Sequence, residues 1–285
     1  MEGALVFTGA SGAPDSLLTR VRGAGRWRRL GPKALERRGA PPEELPKARA
    51  ALGDAPIDVN FVPLENRRKR LLICDMDSTV ITVECIDEIA DFAGVKPEVA
   101  AITERAMQGE IDFAEALRAR VALLEGLREA TLEQVYAERV ALSPGARVLA
   151  RTMAALGAET ALVSGGFTFF TERVAAAAGF ARHQANTLIA GGGRLSGTVA
   201  DPILGREAKQ EALVRICAEK GFAPADAVAV GDGANDLDML RTAGLGVAYR
   251  AKPVVAAEAA ARLDHSDLTA ILHLQGLTAA EFVTD

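Results

Sequence analysis

Three short apolar segments, each ending in a cluster of polar residues, constrain the fold of this 285-residue chain most strongly. They are "LLICDMDST" from residue 71, "ALVSGG" from residue 161 and "VAVGDGAND" from residue 228. Their apolar parts do not alternate with polar residues, which is typical of parallel strands covered on both faces. Helical patterns separate them along the chain. Strands that alternate with helices predict an α/β fold with a doubly wound parallel sheet.

A run of helical patterns between about residues 84 and 142 interrupts this alternation, and we predict that it forms an inserted helical cap. The core is predicted to span 69–285, with a hairpin at "NTLIAGGGRLSGTV". Residues 1–68 form a small N-terminal α/β unit by the same criteria. Its predicted strands are "ALVFTGA", "RWRRL" and "IDVNFVPL", and its predicted helices are "DSLLTRVRGAG" and "EELPKARAALG".

Charge is unevenly distributed between these parts. Residues 1–70 hold 14 Lys/Arg against 8 Asp/Glu, and the rest holds 19 against 30. The basic residues flank short elements with little aromatic interleaving, so we predict a solvated surface and no nucleic-acid partner. No apolar run is long enough for a membrane span, and the N-terminus lacks a basic start typical of a signal peptide. Three scattered cysteines favour a reducing, cytoplasmic location.

The polar clusters should meet at one edge of the sheet, because ligands of open parallel sheets bind beyond the carboxyl ends of the strands. Asp75, Asp77, Ser164, Asp232 and Asp236 would then converge. Carboxylates that lie so close repel one another, and a hard cation relieves the repulsion. An all-oxygen ligand set indicates Mg²⁺, which commonly also contacts a substrate phosphate. The sequence therefore predicts a magnesium site that handles a phosphorylated ligand.

The two acids of "DMDST" suit phosphoryl chemistry. Asp75 could attack phosphorus while Asp77 handles the proton of the leaving group, with Ser78 or Thr79 orienting them. Lys209, on the helix before the third strand, is a candidate to balance the phosphoryl charge. Each signal alone has a simpler explanation, since two spaced acids are common on surfaces and "GDGAND" also suits a calcium loop or a tight turn. The pattern of a P-loop nucleotidase is absent.

The order of these motifs resembles the haloacid dehalogenase (HAD) superfamily of phosphatases. The resemblance covers about residues 70–265 and rests on "DMDSTVI", "SGG", Lys209 and "GDGANDLDM". Within the superfamily, "DSTVITVECIDEIA" and "AMQGEIDFAEALRARVALLEGL" are similar to the phosphoserine phosphatase family. That resemblance implies a Rossmann-like core with a small helical cap, a Mg²⁺ cofactor, and an aspartyl-phosphate intermediate. The implied reaction hydrolyses L-phosphoserine to L-serine and phosphate, the last step of serine biosynthesis.

The resemblance also implies roles for individual residues. Asp75 would be the nucleophile, and Asp77 would be first the general acid and then the base. The metal would be held by Asp75, the backbone carbonyl of Asp77 and Asp232, with Asp236 supporting its waters. The implied substrate-binding residues are Glu84 for the ammonium, Arg120 for the carboxylate, Ser164, Gly165 and Lys209 for the phosphoryl oxygens, Asn235 facing the phosphoryl site, and Met107 and Phe113 closing over it.

Alternatives remain open at this point. A related phosphatase, or a phosphotransferase that passes the group to an alcohol such as homoserine, would use the same acids. A regulatory binding protein with an idle site is disfavoured, because it would not need Asp75, Asp77, Lys209 and Asp232 together. The N-terminal unit is interpreted as a degenerate relative of ACT-type domains that serves dimerisation or docking. The expected binding partner is a small phosphomonoester substrate. We expect no contact with a membrane, and we expect the chain to form a homodimer.

Overall fold

A computed structural model of the protein describes residues 2–9, 21 and 25–284. These residues form a four-stranded N-terminal sheet, a six-stranded sheet and a two-stranded hairpin. The helix predicted for "DSLLTRVRGAG" lies almost wholly outside the described residues. None of the helices in the described ranges has the length and apolar character that a bilayer span requires.

The N-terminal sheet is antiparallel, with the strand order β2-β3-β1-β4. Its strands are β1 (Gly3–Gly9), β2 (Arg26–Gly31), β3 (Ala34–Ala40) and β4 (Ile57–Pro63), and helix α1 spans Glu44–Leu52. The three predicted strands and the second predicted helix are confirmed. Strand β3 was not predicted, because "ALERRGA" places three charged residues where an apolar pattern is expected.

The six-stranded sheet is parallel throughout, with the order β12-β11-β10-β5-β6-β7. Strand β5 lies between β10 and β6, so the three segments that end in polar clusters are neighbours, as predicted. The strands that follow β5 are added first on one side of it, as β6 and β7, and then on the other, as β10 to β12. The end of β5 is therefore a topological switch point. The strands are β5 (Leu71–Cys74), β6 (Glu159–Phe167), β7 (Arg182–Asn186), β10 (Ala227–Gly231), β11 (Leu245–Tyr249) and β12 (Ala261–Leu263).

Strand β5 shows why its sequence lacks polar alternation. Leu72 and Cys74 pack into one apolar cluster, whereas Leu71 and Ile73 pack into another. Successive side chains of a strand point to opposite faces, so both faces of this strand are covered. The covering helices are α6 (Ala146–Ala155), α7 (Thr168–Ala178), α8 (Arg206–Lys220), α9 (Leu237–Thr242), α10 (Pro253–Glu258) and α11 (Ala270–Leu274).

The helical interruption after β5 is confirmed. It contains α2 (Cys85–Ala93), α3 (Lys96–Met107), α4 (Phe113–Ala122) and α5 (Glu129–Arg139). Asp112 accepts a hydrogen bond from the Glu115 amide and so caps the start of α4. The predicted hairpin is formed by β8 (Leu188–Gly191) and β9 (Arg194–Val199), and β9 packs against α4. The domain boundaries proposed from the sequence remain a prediction.

Two side chains of β4 fasten the N-terminal sheet to the edge of the larger sheet. The Asn60 amide donates to the carbonyl of Arg262 at 2.8 Å and accepts from its amide at 2.9 Å, as a neighbouring strand would. The Asp58 carboxylate accepts from the amides of Asp264 and Ser266, both at 2.8 Å, and from the intervening amide at 3.2 Å. These bonds satisfy backbone groups beyond β12, where the sheet ends.

We expect Asp58→Ala to lower the free energy of unfolding by about 1–3 kcal/mol, because it leaves the buried Ser266 amide and two partly buried amides before it without an acceptor. Denaturant titration of the full chain measures this, provided that the slope against denaturant is unchanged. Asp54→Ala is the matched control, since Asp54 is exposed in the same unit. A change below about 0.5 kcal/mol for Asp58→Ala would show that water replaces the carboxylate at no cost.

Candidate active site

The carboxyl ends of β5, β6 and β10 open into a cleft of about 600 Å³ between the sheet and the cap. Asp75 and Asp232 directly follow β5 and β10, and Ser164 lies in the last part of β6. The cap contributes the other wall. The lining residues that the sequence predicted for this site are Asp75, Asp77, Glu84, Met107, Phe113, Arg120, Ser164, Gly165, Asp232 and Asn235.

The turn after β5 separates the two acids of "DMDST". Ser78 has a left-handed backbone (φ 54°), and the Ile81 amide closes the turn onto the Met76 carbonyl at 3.0 Å. Non-glycine residues seldom adopt this conformation, and it is often found at functional sites. Within this turn, the Asp77 carboxylate accepts from the Cys85 amide at 2.8 Å and from Ser164 Oγ at 3.1 Å. Asp75 instead faces Lys209.

A buried ion network surrounds Asp75. Lys209 Nζ lies 2.8 Å from an Asp75 oxygen and 2.7 Å from an Asp236 oxygen, and the second Asp236 oxygen accepts from the amides of Asp232 and Gly233. Burial, with the charge of Asp236, raises the pKa of Asp75 well above its ordinary value. Burial would lower the pKa of Lys209, but the two carboxylates outweigh it and raise that pKa. Lys209 and Asp236 are buried and do not line the cleft themselves.

Three carboxylates fit the donor set of a hard cation. Asp75, Asp232 and Asp236 each offer an oxygen, and these oxygens lie within 4.8 Å of one another. Burial raises the pKa of Asp232, while Thr79 Oγ1, which donates to it at 2.9 Å, opposes that rise. A divalent cation would favour the ionised forms. The all-oxygen set matches Mg²⁺ or Ca²⁺ and does not match zinc.

The end of β6 is arranged around Ser164. The Gly166 amide donates to Ser164 Oγ at 2.8 Å, so the hydroxyl hydrogen is directed toward Asp77. Asn186, at the end of β7, donates to the Gly165 carbonyl at 2.9 Å and accepts from the Leu204 amide at 2.7 Å. This buried amide holds the Gly165 peptide in place. A larger residue at position 165 would approach Phe113, whose ring lies 3.0 Å from an added Cβ.

The cap side of the cleft carries charges of both signs. Glu84 accepts from Ser78 Oγ at 2.6 Å. Among the described residues, the hydrogen bonds of the Arg120 guanidinium are long, at 3.5 Å to Thr103 Oγ1 and 3.3 Å to the Ala116 carbonyl. The Arg120 guanidinium can therefore exchange these contacts for stronger hydrogen bonds to an anionic acceptor. The surrounding protein, together with the nearby acids Asp77 and Asp232, raises the pKa of Glu84 to about 7, although its side chain is reached by solvent through the cleft.

Several lining or supporting residues were not predicted. Lys252 lies just beyond strand β11, so the same signal of a polar residue after an apolar strand could have found it. Asn186 is the last residue of β7, whose sequence "RHQAN" carries no such signal. The Lys252 amide donates to the Asp232 carbonyl at 3.2 Å, and the charge of the Lys252 side chain partly opposes the rise that burial causes in the pKa of Asp232. Asp87 and Thr103, on cap helices, have no such signal, because charged and hydroxyl residues are ordinary on helix surfaces.

The fold and this set of acids define a class of hydrolase. Residues 72–241 match the family described as haloacid dehalogenase-like hydrolase, and the chain belongs to that family. Its similar relatives within the family are phosphoserine phosphatases. One from a Polaromonas species is 47% identical over 210 residues, which cover 72% of this chain and 89% of the relative.

Solved structures agree with this placement. A probable phosphoserine phosphatase from Vibrio cholerae, in its unliganded form, has a TM-score of 0.83 at 31% identity. The match covers 98% of this chain and 88% of the Vibrio chain. A substrate-bound phosphoserine phosphatase complex has a TM-score of 0.67 at 38% identity, covering 72% of this chain and 98% of that one. The first of these matches extends over the N-terminal sheet as well as the core.

Proposed function

We propose that this chain hydrolyses L-phosphoserine to L-serine and phosphate through an aspartyl-phosphate on Asp75, and thereby completes serine biosynthesis. The observation that carries the proposal is the separation of two acids at one strand end. Asp75 is paired with the ammonium group of Lys209, whereas Asp77 faces Ser164 and the cleft. The names of the relatives and the substrate-bound neighbour support phosphoserine as the substrate.

The environments of the two acids suit different roles. Lys209 stabilises the charge of Asp75, so that an Asp75 oxygen can attack phosphorus while the bond to the serine oxygen breaks. Burial raises the pKa of Asp77, which favours a protonated carboxyl that can donate to the departing serine oxygen. Once deprotonated, Asp77 can take a proton from the water that hydrolyses the acyl phosphate. Ser164 and the Gly165 amide are proposed to hold the phosphoryl oxygens.

Magnesium is the proposed cofactor, held by Asp75, Asp232 and the Asp77 carbonyl, with Asp236 supporting its waters. When bound, it would neutralise charge on the phosphoryl oxygens.

We expect exhaustive chelation to lower phosphate release below about 1% of its starting value, with Mg²⁺ restoring it. Ca²⁺ should inhibit, since it accepts more ligands at longer distances and can engage both oxygens of a carboxylate. Full turnover in the chelated enzyme would contradict the metal assignment.

Substrate choice is assigned to the cap. Glu84 would pair with the substrate ammonium and Arg120 with its carboxylate, while Phe113 and Met107 close over the cleft, and Asn235 faces the phosphoryl group. Phosphate release from a panel of phosphomonoesters, with and without Mg²⁺, tests the proposed function. Adding homoserine to the phosphoserine assay separates hydrolysis from phosphoryl transfer, because transfer would yield serine in excess of phosphate. The same proposal includes three further points: the binding partner is a small phosphomonoester, the protein is located in the cytoplasm, and the chain forms a homodimer.

The raised pKa of Glu84 predicts a pH dependence. Below about 7 the carboxyl is neutral and cannot pair with an ammonium, so kcat/KM for phosphoserine should fall about tenfold from pH 8 to pH 6. Glu84→Gln should lower kcat/KM at pH 8 and remove this part of the profile. The comparison of the two profiles cancels titration of the substrate phosphate. Identical profiles in both proteins would show that Glu84 does not read the ammonium.

A further inference from the structure

Strand β3 of the N-terminal sheet carries two charged residues in a fully buried stretch. Strand β3 is an interior strand of the sheet, and the side chains of Glu36 and Arg37 on it are both 0% exposed. Charged residues are almost never fully buried unless they are paired. Glu36 meets this rule, because its carboxylate contacts three arginines, with Arg67 Nη1 and Arg38 Nε each at 2.8 Å.

Arg37 is paired as well, but its hydrogen bonding is incomplete. Its guanidinium contacts Glu44 through Nη2, while Nε and Nη1 are buried and have no hydrogen-bond partner in the described part of the chain. The guanidinium carbon also lies 5.8 Å from the centre of the Trp27 ring, which offers an attraction but no acceptor oxygen. Buried donors are nearly always satisfied, and an unsatisfied pair of them calls for an explanation such as a bound group.

Arg37 is one of the residues that line a cavity of about 200 Å³. The other residues that line it, among those the structure describes, are Val21, Glu44, Lys47, Ala48 and Ala51. Two cations and one anion give this lining a net positive charge, and the small apolar side chains of α1 leave room for a small ligand. A guanidinium with free donors prefers planar or tetrahedral oxyanions, which accept two hydrogen bonds at once.

We propose that this cavity binds a small oxyanion, either a carboxylate or a phosphate, on the guanidinium of Arg37 with Lys47 as a second cation. Glu44 contacts a single guanidinium nitrogen, and its side chain is 24% exposed, so it can move aside as the anion enters. The site is separate from the cleft, whose lining contains no residue of the N-terminal sheet among those described. The proposal is therefore independent of the proposed catalytic function.

Trp27 provides a local probe, because it is the single tryptophan of the chain and lies beside Arg37. Its fluorescence in the full-length protein should respond saturably to sodium phosphate, sodium sulfate or sodium acetate at constant ionic strength. Sodium chloride is the control for ionic strength. A response to phosphate and sulfate alone would identify a tetrahedral anion, and a response to acetate alone a carboxylate.

Substitutions on opposite sides of the charge balance sharpen the test. Arg37→Met should weaken the apparent affinity at least about tenfold, and the exposed Lys47→Ala about threefold. Glu44→Gln should tighten it about threefold or more, because it removes the competing carboxylate. Arg38→Met is the matched control on the same strand; its side chain is 44% exposed and should leave the titration unchanged.

Two results would overturn the proposal. The first is a wild-type fluorescence that follows chloride and the oxyanions equally. The second is a Glu44→Gln variant that binds no more tightly than wild type while Arg37→Met keeps its full response. Because Glu44 and Lys47 are partly or wholly exposed, their variants should fold even if Arg37→Met does not, and the test stays decisive.

Discussion

Asp75→Asn is expected to lower kcat for phosphoserine by at least about 10³-fold while the chain stays folded. An amide is a poor nucleophile and cannot carry the phosphoryl group. The fold should persist, because the amide oxygen can still accept from the Met76 amide as the carboxylate does at 2.7 Å. The substitution also removes one charge from a cluster whose burial raises the pKa of Asp75.

The measurement is single-turnover reaction with labelled substrate, followed by isolation of the protein. Wild type should yield a phosphoprotein and the variant none. Asp91→Asn is the control, since Asp91 is a half-exposed acid on cap helix α2, paired with Arg139 at 3.4 Å. If the Asp75 variant retained turnover, another residue would have to be the nucleophile.

Arg120→Ala is expected to lower kcat/KM for phosphoserine by about 10- to 150-fold, the equivalent of a charge-assisted pair worth roughly 1.5–3 kcal/mol. The long contacts of Arg120 with Thr103 and Ala116 contribute little in the free protein, so the loss should arise from the substrate carboxylate. An aryl phosphate has no carboxylate and should be hydrolysed almost as before. Arg120→Lys should restore only part of the loss, because an ammonium cannot make the two-pronged contact.

The decisive quantity is the ratio of kcat/KM for the two substrates in each variant. Arg118→Ala is the matched control on the same helix, since Arg118 is 51% exposed and its ion pair with Asp201 lies at the surface. It should leave the ratio unchanged. Equal losses for both substrates in Arg120→Ala would mean that Arg120 supports closure or folding of the cap.

The parallel core was predictable because its strands are buried on both faces. An uninterrupted apolar run such as Leu71–Cys74, in a chain where such runs alternate with helical patterns, is typical of a parallel strand covered by helices on both faces. Strands β3, β7 and β12 escaped prediction for the opposite reason. They are short or charged, and hydrogen bonding to neighbouring strands stabilises them in spite of their composition.

The supporting residues of the cleft divide in the same way. Acids that follow apolar strands stand out, so Asp75 and Asp232 could be identified before any geometry was known. Asn186 was missed because "RHQAN" reads as polar surface, yet its amide is buried and holds both Gly165 and Leu204. Whether a polar side chain is buried depends on what covers it, and local composition does not contain that information.

By itself, the sequence determined the chemistry that this chain can perform: which acids end which strands, the lysine on the helix before the third of these strands, and the helical insertion after the first. These features depend on residue type and local pattern, which act over a few positions. Only the tertiary structure decided the partners. Lys209 meets Asp75 and Asp236 across long stretches of chain, and the turn after β5 carries Asp77 away from Asp75 toward Ser164. Such pairings follow from strand order and backbone dihedrals, which spacing along the chain does not specify.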